Sequence, residues 1–234
     1  MDEQQTIEAE PEPITLDLLK AALIVVDMQN AFVKKGGYID LAGHDISATQ
    51  RIIAPCQKLI GALRSIGAKI IYFQMGYSAD LSDKGPPDSP GALKSRVLHF
   101  INHHPEAKDK VYVYGTWGAE IIDELRPQPG DITIKKQRYD GFFGTNLDLT
   151  LRTLGIKYLF FVGTATNICV ESTIRHAFFL DYFPILVTDA VSHLGPSITH
   201  QASLINVRST FGWVTTSDNV LHAIGHIRNK DPHR

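Results

Sequence analysis

Three side chains that could act together in catalysis stand just after apolar runs in the sequence, and they are Asp27, Lys136 and Cys169. A carboxylate can accept the proton of a thiol, and an ammonium group can hold that carboxylate and compensate negative charge. Cys169 falls at the predicted start of a helix, where the helix dipole favours the thiolate. The three residues together predict a nucleophile, Cys169, with Asp27 as its proton acceptor and Lys136 as the partner of Asp27.

Each of these residues also has a purely structural interpretation. A cysteine between Ile168 and Val170 is, by composition, more often a small core residue than a nucleophile. An aspartate at the end of a strand often only caps a loop. The second cysteine, Cys56, falls on the apolar face of a predicted helix and is interpreted as core. Residue spacing alone leaves the catalytic and structural interpretations of Cys169 about equally supported.

The elements that must position these residues are strands alternating with helices. Apolar runs occupy residues 22–26, 69–73, 131–134, 158–162 and 184–187, with a weaker run at 212–214, and segments with helical periodicity lie between them. Unbroken apolar runs are typical of strands buried on both faces of a parallel sheet, and their alternation with helices predicts βαβ units. Because ligands bind beyond the carboxyl ends of such strands, we expect the three residues to meet at that edge.

Composition indicates one soluble globular domain. The chain has 234 residues, of which 44% are hydrophobic, and a formal net charge of −2. These values predict one domain over residues 19–234, preceded by a flexible polar arm at residues 1–18. The balanced charge argues against nucleic acid or a membrane surface as a partner, and no apolar run approaches the roughly 20 residues of a membrane span. Two cysteines form no disulfide framework, so we expect a reduced, cytoplasmic setting.

Two further features bear on the kind of site. The irregular stretch at residues 76–105 is rich in proline and glycine, and a loop of this length is typical of a lid or a subunit contact. The ten histidines form no metal-ligand pattern, although His222 and His226 share helical spacing without a nearby carboxylate motif, and no glycine-rich phosphate loop is present. We therefore predict that the protein uses no metal and no cofactor.

Three segments carry a resemblance to a known family. They are ALIVVDMQNAF at residues 22–32, KQRYDGFFGT at 136–145 and GTATNICVEST at 163–173, and in this order they resemble the isochorismatase-like hydrolases, also called cysteine hydrolases. The resemblance implies a three-layer α/β/α Rossmann-like sandwich with a six-stranded parallel sheet. It also implies a homo-oligomer, either a tetramer or a dimer.

The resemblance further implies roles for individual residues. The family's catalytic triad falls on Asp27, Lys136 and Cys169, and its non-proline cis peptide falls at Thr164–Ala165. The Ala165 and Cys169 amides are then expected to form the oxyanion hole. Metal-dependent members of the family carry histidines after the second strand, whereas the corresponding stretch here, at residues 73–80, has none.

Residues near the triad supply candidates for binding a substrate. These are Gln29 and Asn30 for their amides, Arg138 for a carboxylate, and the aromatic residues Trp117, Tyr139 and Phe142 for flat walls. Each has a structural alternative, such as a surface ion pair for Arg138 or interface packing for Trp117. The set favours a small planar substrate with a urea-type carbonyl and a polar or anionic tail.

The predicted function is that of a cysteine-dependent amidohydrolase. The stretches GGYIDLAGHDIS, ELRPQPGDI, RYDGFF and FFLDYF resemble the branch of the family that acts on ureidoacrylate in pyrimidine degradation, with biuret hydrolases nearby. We expect cleavage of a C–N bond in a small ureido or carbamoyl compound through a thioester or thiocarbamate. Met75 stands where that branch tends to have asparagine, so a biuret- or maleamate-type amide is the alternative substrate. A catalytically silent binding or scaffold protein is the alternative from another class.

Overall fold

A six-stranded parallel sheet forms the centre of the computed structural model, which describes residues 4–230. The strands are β1 Gln4–Ile7, β2 Ile14–Asp17, β3 Ala21–Val26, β4 Lys69–Met75, β5 Ile132–Lys136, β6 Tyr158–Thr164, β7 Phe183–Ser192 and β8 Trp213–Thr215. The central sheet has the order β5-β4-β3-β6-β7-β8, and all its pairs are parallel. The predicted fold class is thereby confirmed. Residues 1–3 of the predicted arm and residues 231–234 of the predicted domain lie outside the described residues.

Helices connect the strands and cover both faces of the sheet. They are α1 Asn30–Val33, α2 Tyr38–Leu41, α3 Ser47–Arg51, α4 Ile53–Ser65, α5 Pro90–Lys94, α6 Arg96–His103, α7 Leu147–Thr153, α8 Glu171–Phe179, α9 Ser197–Asn206 and α10 Ser217–Lys230. Short 3₁₀ turns occupy Leu18–Lys20, Pro105–Lys110, Trp117–Ala119 and Asp123–Leu125, and π-helical turns occupy Thr166–Val170 and Val207–Phe211. Within residues 4–230, no helix has the length and apolar character that a bilayer span requires.

Alternate residues of each strand enter two separate cores. On β3, Leu23 and Val25 point to one face, where α4 and α10 pack, and Ile24 points to the other, where α7 and α8 pack. All six residues of β3 are fully buried, as expected for a strand at the centre of a parallel sheet. The two cores explain why the runs in the sequence are continuously apolar rather than alternating.

The N-terminal segment differs from the flexible arm that its polar composition predicted. Strands β1 and β2 form an antiparallel hairpin whose residues Ile7, Ile14 and Leu16 are buried in the core that contains α10. Beyond β1, the backbone of Glu10 exchanges hydrogen bonds with Val214 in β8. The apolar residues alternate with polar ones, so a few side chains suffice to attach an otherwise polar segment. Composition averaged over the segment conceals this pattern.

A third cluster of buried residues lies over the carboxyl edge of the sheet. It includes Tyr38 from α2, Val97 and Ile101 from α6, and Tyr77 and Tyr112 from the connection between β4 and β5. The irregular stretch at residues 76–105 supplies much of this cluster, although its sequence has little periodicity. The cluster forms the upper wall of the cavity described below.

Candidate active site

A buried ion pair joins the ends of two strands at the carboxyl edge of the sheet. Lys136 is the last residue of β5, and its Nζ donates a 2.8 Å hydrogen bond to Oδ2 of Asp27, which follows β3. Both side chains are almost completely buried. The same ammonium group donates to the carbonyl oxygens of Arg138 and Tyr139 at 3.2 and 3.3 Å. Lys136 is therefore held by three oxygen acceptors and fixes the orientation of the Asp27 carboxylate.

The charge state of Lys136 follows from two opposing effects on its pKa. Burial lowers the pKa of this ammonium, but the charge of Asp27 and the neighbouring Cys169 raise it, so the net pKa lies above its usual range. Lys136 therefore keeps its positive charge beside Asp27.

The backbone of Asp27 has a positive φ of 50°, a conformation that aspartate tolerates better than most residues.

Cys169 lies in the π-helical turn Thr166–Val170, which joins β6 to α8. Its side chain lines the same cavity as Asp27 and is close enough to Asp27 and Lys136 for both to act on its pKa, and only 9% of the residue is exposed. Burial raises the pKa of the thiol to about 12; Lys136 opposes this effect and Asp27 adds to it. The resting thiol is therefore protonated, in contrast to the thiolate that the helix dipole alone would favour.

The second oxygen of Asp27 is available for the thiol. Oδ1 of Asp27 is buried and has no hydrogen-bond partner among the residues that the structure describes, whereas Oδ2 is bound to Lys136. An unpaired buried carboxylate oxygen is costly and often marks a functional position. Asp27 can thus bind Lys136 through one oxygen and receive the Cys169 proton on the other.

The chain before Cys169 follows an unusual backbone path. Gly163 has a φ of 105°, and a Cβ atom at this position would lie only 2.2 Å from the carbonyl oxygen of Val26. The next peptide bond, Thr164–Ala165, is cis. The carbonyl oxygen of Ala165 then accepts hydrogen bonds from the amides of Ile168 and Val170, at 3.0 and 3.1 Å. The glycine lets the chain pass close to the end of β3, and the hydrogen bonds close the turn that contains Cys169.

Thr173 connects the cysteine turn to the loop that follows Lys136. Its hydroxyl is fully buried, donates to the carbonyl oxygen of Cys169 at 2.7 Å and accepts from the amide of Gly141 at 3.0 Å. Sequence reasoning missed this residue, since a threonine within a helix gives no signal by its type alone. The hydroxyl therefore joins the turn that contains Cys169 to the loop that follows Lys136.

A cavity of about 480 Å³ opens above these residues. Asp27, Cys169, Thr164, Ala165 and Met75 form its floor, and aromatic walls come from Phe32, Tyr38, Tyr112 and Tyr139. Positively chargeable side chains at its rim are His44, Lys94 and Arg96. A concave apolar cavity with a few convergent polar groups is the usual form of a small-molecule site. A substrate carbonyl placed in it would face the Cys169 thiol.

Two of the six predicted substrate-binding residues have their amides occupied elsewhere. The Gln29 amide group donates to the carbonyl oxygens of Met75 and Ala119, at 2.8 and 2.9 Å, and accepts from the amide of Met75 at 2.8 Å. Asn30 donates to the carbonyl oxygen of Trp117 at 2.8 Å. Neither residue lines the cavity. Their position after Asp27 suggested substrate contacts, but both hold the loop before β5 against the sheet.

Three other predicted residues also lie away from the cavity. Arg138 lines a smaller, adjoining cavity that shares Lys94 and Tyr139 with the first, and its guanidinium donates to the carbonyl oxygen of Gln137 at 3.0 Å. Phe142 is buried in the core, stacked on Tyr182. Trp117 lies at the surface beneath the Lys110 ammonium. Of the six candidates, only Tyr139 lines the cavity with Cys169.

The cavity residues that sequence reasoning missed come from segments far from the triad in sequence. Phe32 and Tyr38 follow β3, and Lys94 and Arg96 belong to the irregular stretch after β4. The only signal that pointed to the latter pair was the length of that stretch. Among the side chains of residues 4–225, no group of three or more histidine, cysteine or acidic side chains is placed to hold a metal ion.

Comparison with known proteins places the chain in a family. Residues 21–219 match the model of the isochorismatase domain. The protein belongs to the isochorismatase family, as the resemblance of the three segments indicated. It is also 50% identical over 211 residues to the ureidoacrylate amidohydrolase RutB of Agrobacterium fabrum, covering 90% of this chain and 92% of that protein. The predicted enzyme class, a hydrolase of non-peptide C–N bonds, is confirmed.

Solved structures show the same fold. A cysteine hydrolase from Pseudomonas syringae aligns with a TM-score of 0.74 and 29% identity, over 90% of this chain and 95% of that one. The N-carbamoylsarcosine amidase of Thermoplasma acidophilum aligns with a TM-score of 0.62 and 29% identity, over 85% and 96% of the two chains. Both proteins are named for reactions of the hydrolase class.

Proposed function

We propose that this protein is a cysteine-dependent amidohydrolase that cleaves a C–N bond of a small ureido compound of the ureidoacrylate type. The observation that carries the proposal is that Asp27 and Cys169 line the floor of one cavity, with Lys136 bound to one carboxylate oxygen of Asp27 and the other oxygen free of any partner among the described residues. The 50% identity to a ureidoacrylate amidohydrolase supports the choice of substrate.

The first half of the reaction forms a covalent intermediate. Oδ1 of Asp27 takes the proton from Cys169 Sγ, and the thiolate attacks the carbonyl carbon of the ureido group. The carbonyl π electrons move to the oxygen, which the amides of Ala165 and Cys169 stabilise. Lys136 keeps Asp27 in place and compensates the negative charge that develops.

The second half releases the products. The tetrahedral intermediate collapses, the C–N bond breaks, and the leaving nitrogen takes the proton from Asp27, leaving a thiocarbamate on Cys169. Water then gives a proton to Asp27 and attacks the thiocarbamate carbonyl, and the departing thiolate recovers that proton. One water is consumed for each C–N bond broken, and the triad returns to its starting state without a cofactor.

The resting pKa values fit this order of events. A thiol with a pKa raised to about 12 is not a thiolate before substrate arrives, so the proton transfer must accompany attack. Because aromatic side chains line the cavity, a substrate bound between them would displace water from around Asp27 and Cys169. This arrangement limits reaction of the thiol with adventitious electrophiles.

A screen of ammonia release over ureidoacrylate, biuret, maleamate and nicotinamide tests the proposal. We expect ureidoacrylate to have the highest kcat/KM and Cys169→Ala to abolish turnover of every substrate. Preferential turnover of maleamate or biuret would overturn the choice of substrate but retain the chemistry. Activity that persists in Cys169→Ala would overturn the cysteine mechanism itself.

A further inference from the structure

The free charges that line the catalytic cavity are all positive. Lys94 and Arg96 contribute cationic side chains, and His44 lies beside them. Among the lining residues the single carboxylate is Asp27, which is already paired with Lys136. A cavity with unpaired cations on one side and a nucleophile on the other is suited to a substrate with a negative charge at the end away from the scissile bond.

Arg96 is the best placed of the cations. It is the first residue of α6, and the preceding Ser95 side chain accepts a hydrogen bond from the amide of Leu98 at 3.4 Å, which fixes the start of this helix. Arg96 forms no salt bridge with any carboxylate among the described residues, unlike the arginines at 64, 126, 152, 175 and 208. Its guanidinium therefore keeps its hydrogen-bonding capacity for a ligand.

Two tyrosines of the cavity, Tyr38 and Tyr139, are coupled electrostatically to Arg96. Burial raises the pKa of Tyr38 and of Tyr139, and the charge of Arg96 acts on both hydroxyls in the opposite direction. Cys169 is also coupled electrostatically to Tyr139 and raises its pKa. The guanidinium, the two hydroxyls and the thiol therefore share one electrostatic environment within the same cavity.

We propose that Arg96 is a specificity-determining residue that binds a carboxylate of the substrate, so that the protein acts on ureido acids in preference to neutral ureas. This inference rests on the proposed amidohydrolase function. A planar guanidinium can bind a carboxylate through two parallel hydrogen bonds, and Tyr38 can add a third. The unsaturated body of the substrate then lies between the aromatic walls, with its ureido carbonyl at Cys169.

Arg138, which residue spacing had favoured for this role, provides the matched control. Both arginines lie outside the floor of the cavity, but Arg138 lines the neighbouring cavity and is turned to the carbonyl oxygen of Gln137. Arg96→Gln and Arg138→Gln each remove one positive charge, from two positions near the same edge of the sheet. A general change of net charge would affect both variants alike.

Steady-state kinetics with ureidoacrylate and its neutral methyl ester provide the first test. In Arg96→Gln we expect KM for the anion to rise about tenfold while kcat changes little, since one solvent-accessible ionic contact is lost. The kinetic constants for the ester should not change, and Arg138→Gln should resemble the wild type with both substrates. Equal losses for the anion and the ester in Arg96→Gln would overturn the proposal.

A second measurement does not depend on turnover. The ratio of Cys169 alkylation rates with iodoacetate and iodoacetamide, followed by intact mass, reports whether the cavity attracts a carboxylate. We expect Arg96→Gln to lower this ratio about three- to tenfold and Arg138→Gln to leave it unchanged. If no ureido substrate is cleaved but the ratio falls, the proposed function fails and the anionic subsite stands. An unchanged ratio in Arg96→Gln would overturn the subsite, whatever the kinetics show.

Discussion

The floor and the rim of the cavity are built in different ways. At and beneath the floor, Asp27 follows β3, Lys136 ends β5 and Cys169 follows β6, and the strands are hydrogen-bonded in register at Met75 with Lys136 and at Val26 with Gly163. At the rim, Lys94 and Arg96 are exposed and come from short helices in an irregular connection. In the function that we propose, the sheet places the reacting groups and a loop region selects the substrate, and such a region can vary without disturbing the chemistry.

The two regions also differ in what holds their charges. The Asp27–Lys136 pair is buried, so neither partner can be removed without leaving an uncompensated charge. The rim cations are solvated and can be replaced at small cost in stability. Substitutions on the floor should therefore change kcat by large factors, and substitutions at the rim should change KM by small ones.

The largest effect is expected at the nucleophile. Cys169→Ser should reduce kcat by about a thousandfold or more, because a hydroxyl is far less acidic and nucleophilic than a thiol. Thermal unfolding should be nearly unchanged, since the two side chains have similar size. Retention of a tenth of the wild-type kcat would show that another group attacks.

The next largest effect on kcat is expected at Asp27, the proposed proton acceptor. Asp27→Asn should lower kcat by about 10²–10⁴-fold, because an amide cannot take the thiol proton. It should also lower the free energy of unfolding by about 3–5 kcal/mol, because Lys136 remains buried without its counter-charge. Chemical denaturation measures the second effect. Full activity together with lower stability would show that Asp27 has only a structural role.

The state of the resting thiol can be checked by its pH dependence. A thiol with a pKa raised to about 12 is protonated at neutral pH, and its thiolate fraction increases with pH. The rate of Cys169 alkylation by iodoacetamide in the free enzyme should therefore rise about a hundredfold between pH 7 and pH 9. A plateau below pH 8 would mean that the thiolate is already formed at rest. Cys56, which is buried in the core, should remain unmodified throughout.

A smaller effect is expected at Thr173, which contacts the site only through its neighbours. Thr173→Val removes the hydroxyl that joins the carbonyl oxygen of Cys169 to the amide of Gly141. Loss of a hydrogen bond worth about 1 kcal/mol should lower kcat about fivefold and leave KM nearly unchanged.

Thr173→Ser is the matched control because it keeps the hydroxyl. It should restore kcat, together with the wild-type pH profile of alkylation. If the serine and valine variants lose activity equally, packing of the threonine methyl group rather than its hydroxyl positions Cys169.

The sequence predicted the sheet and the catalytic floor for one physical reason. A strand buried on both faces must be apolar along its whole length, so β3, β4, β6 and β7 could be recognised individually. The polar residue after such a strand is then placed at the carboxyl edge by the fold itself. The N-terminal hairpin was not recognised, because its two short strands bury only a few side chains.

The lining of the cavity was decided by tertiary structure alone. Gln29 and Phe142 have types suited to substrate binding and lie close to the triad in sequence, yet one bonds to the backbone and the other packs in the core. Arg138 lies two residues after Lys136 and lines an adjoining cavity, whereas Arg96, forty residues before Lys136, lines the cavity that contains Cys169. Residue type, spacing and the family resemblance predicted the groups that we propose to react, Asp27, Lys136 and Cys169. The direction of each side chain depended on long-range packing over the sheet edge, which no local pattern encodes.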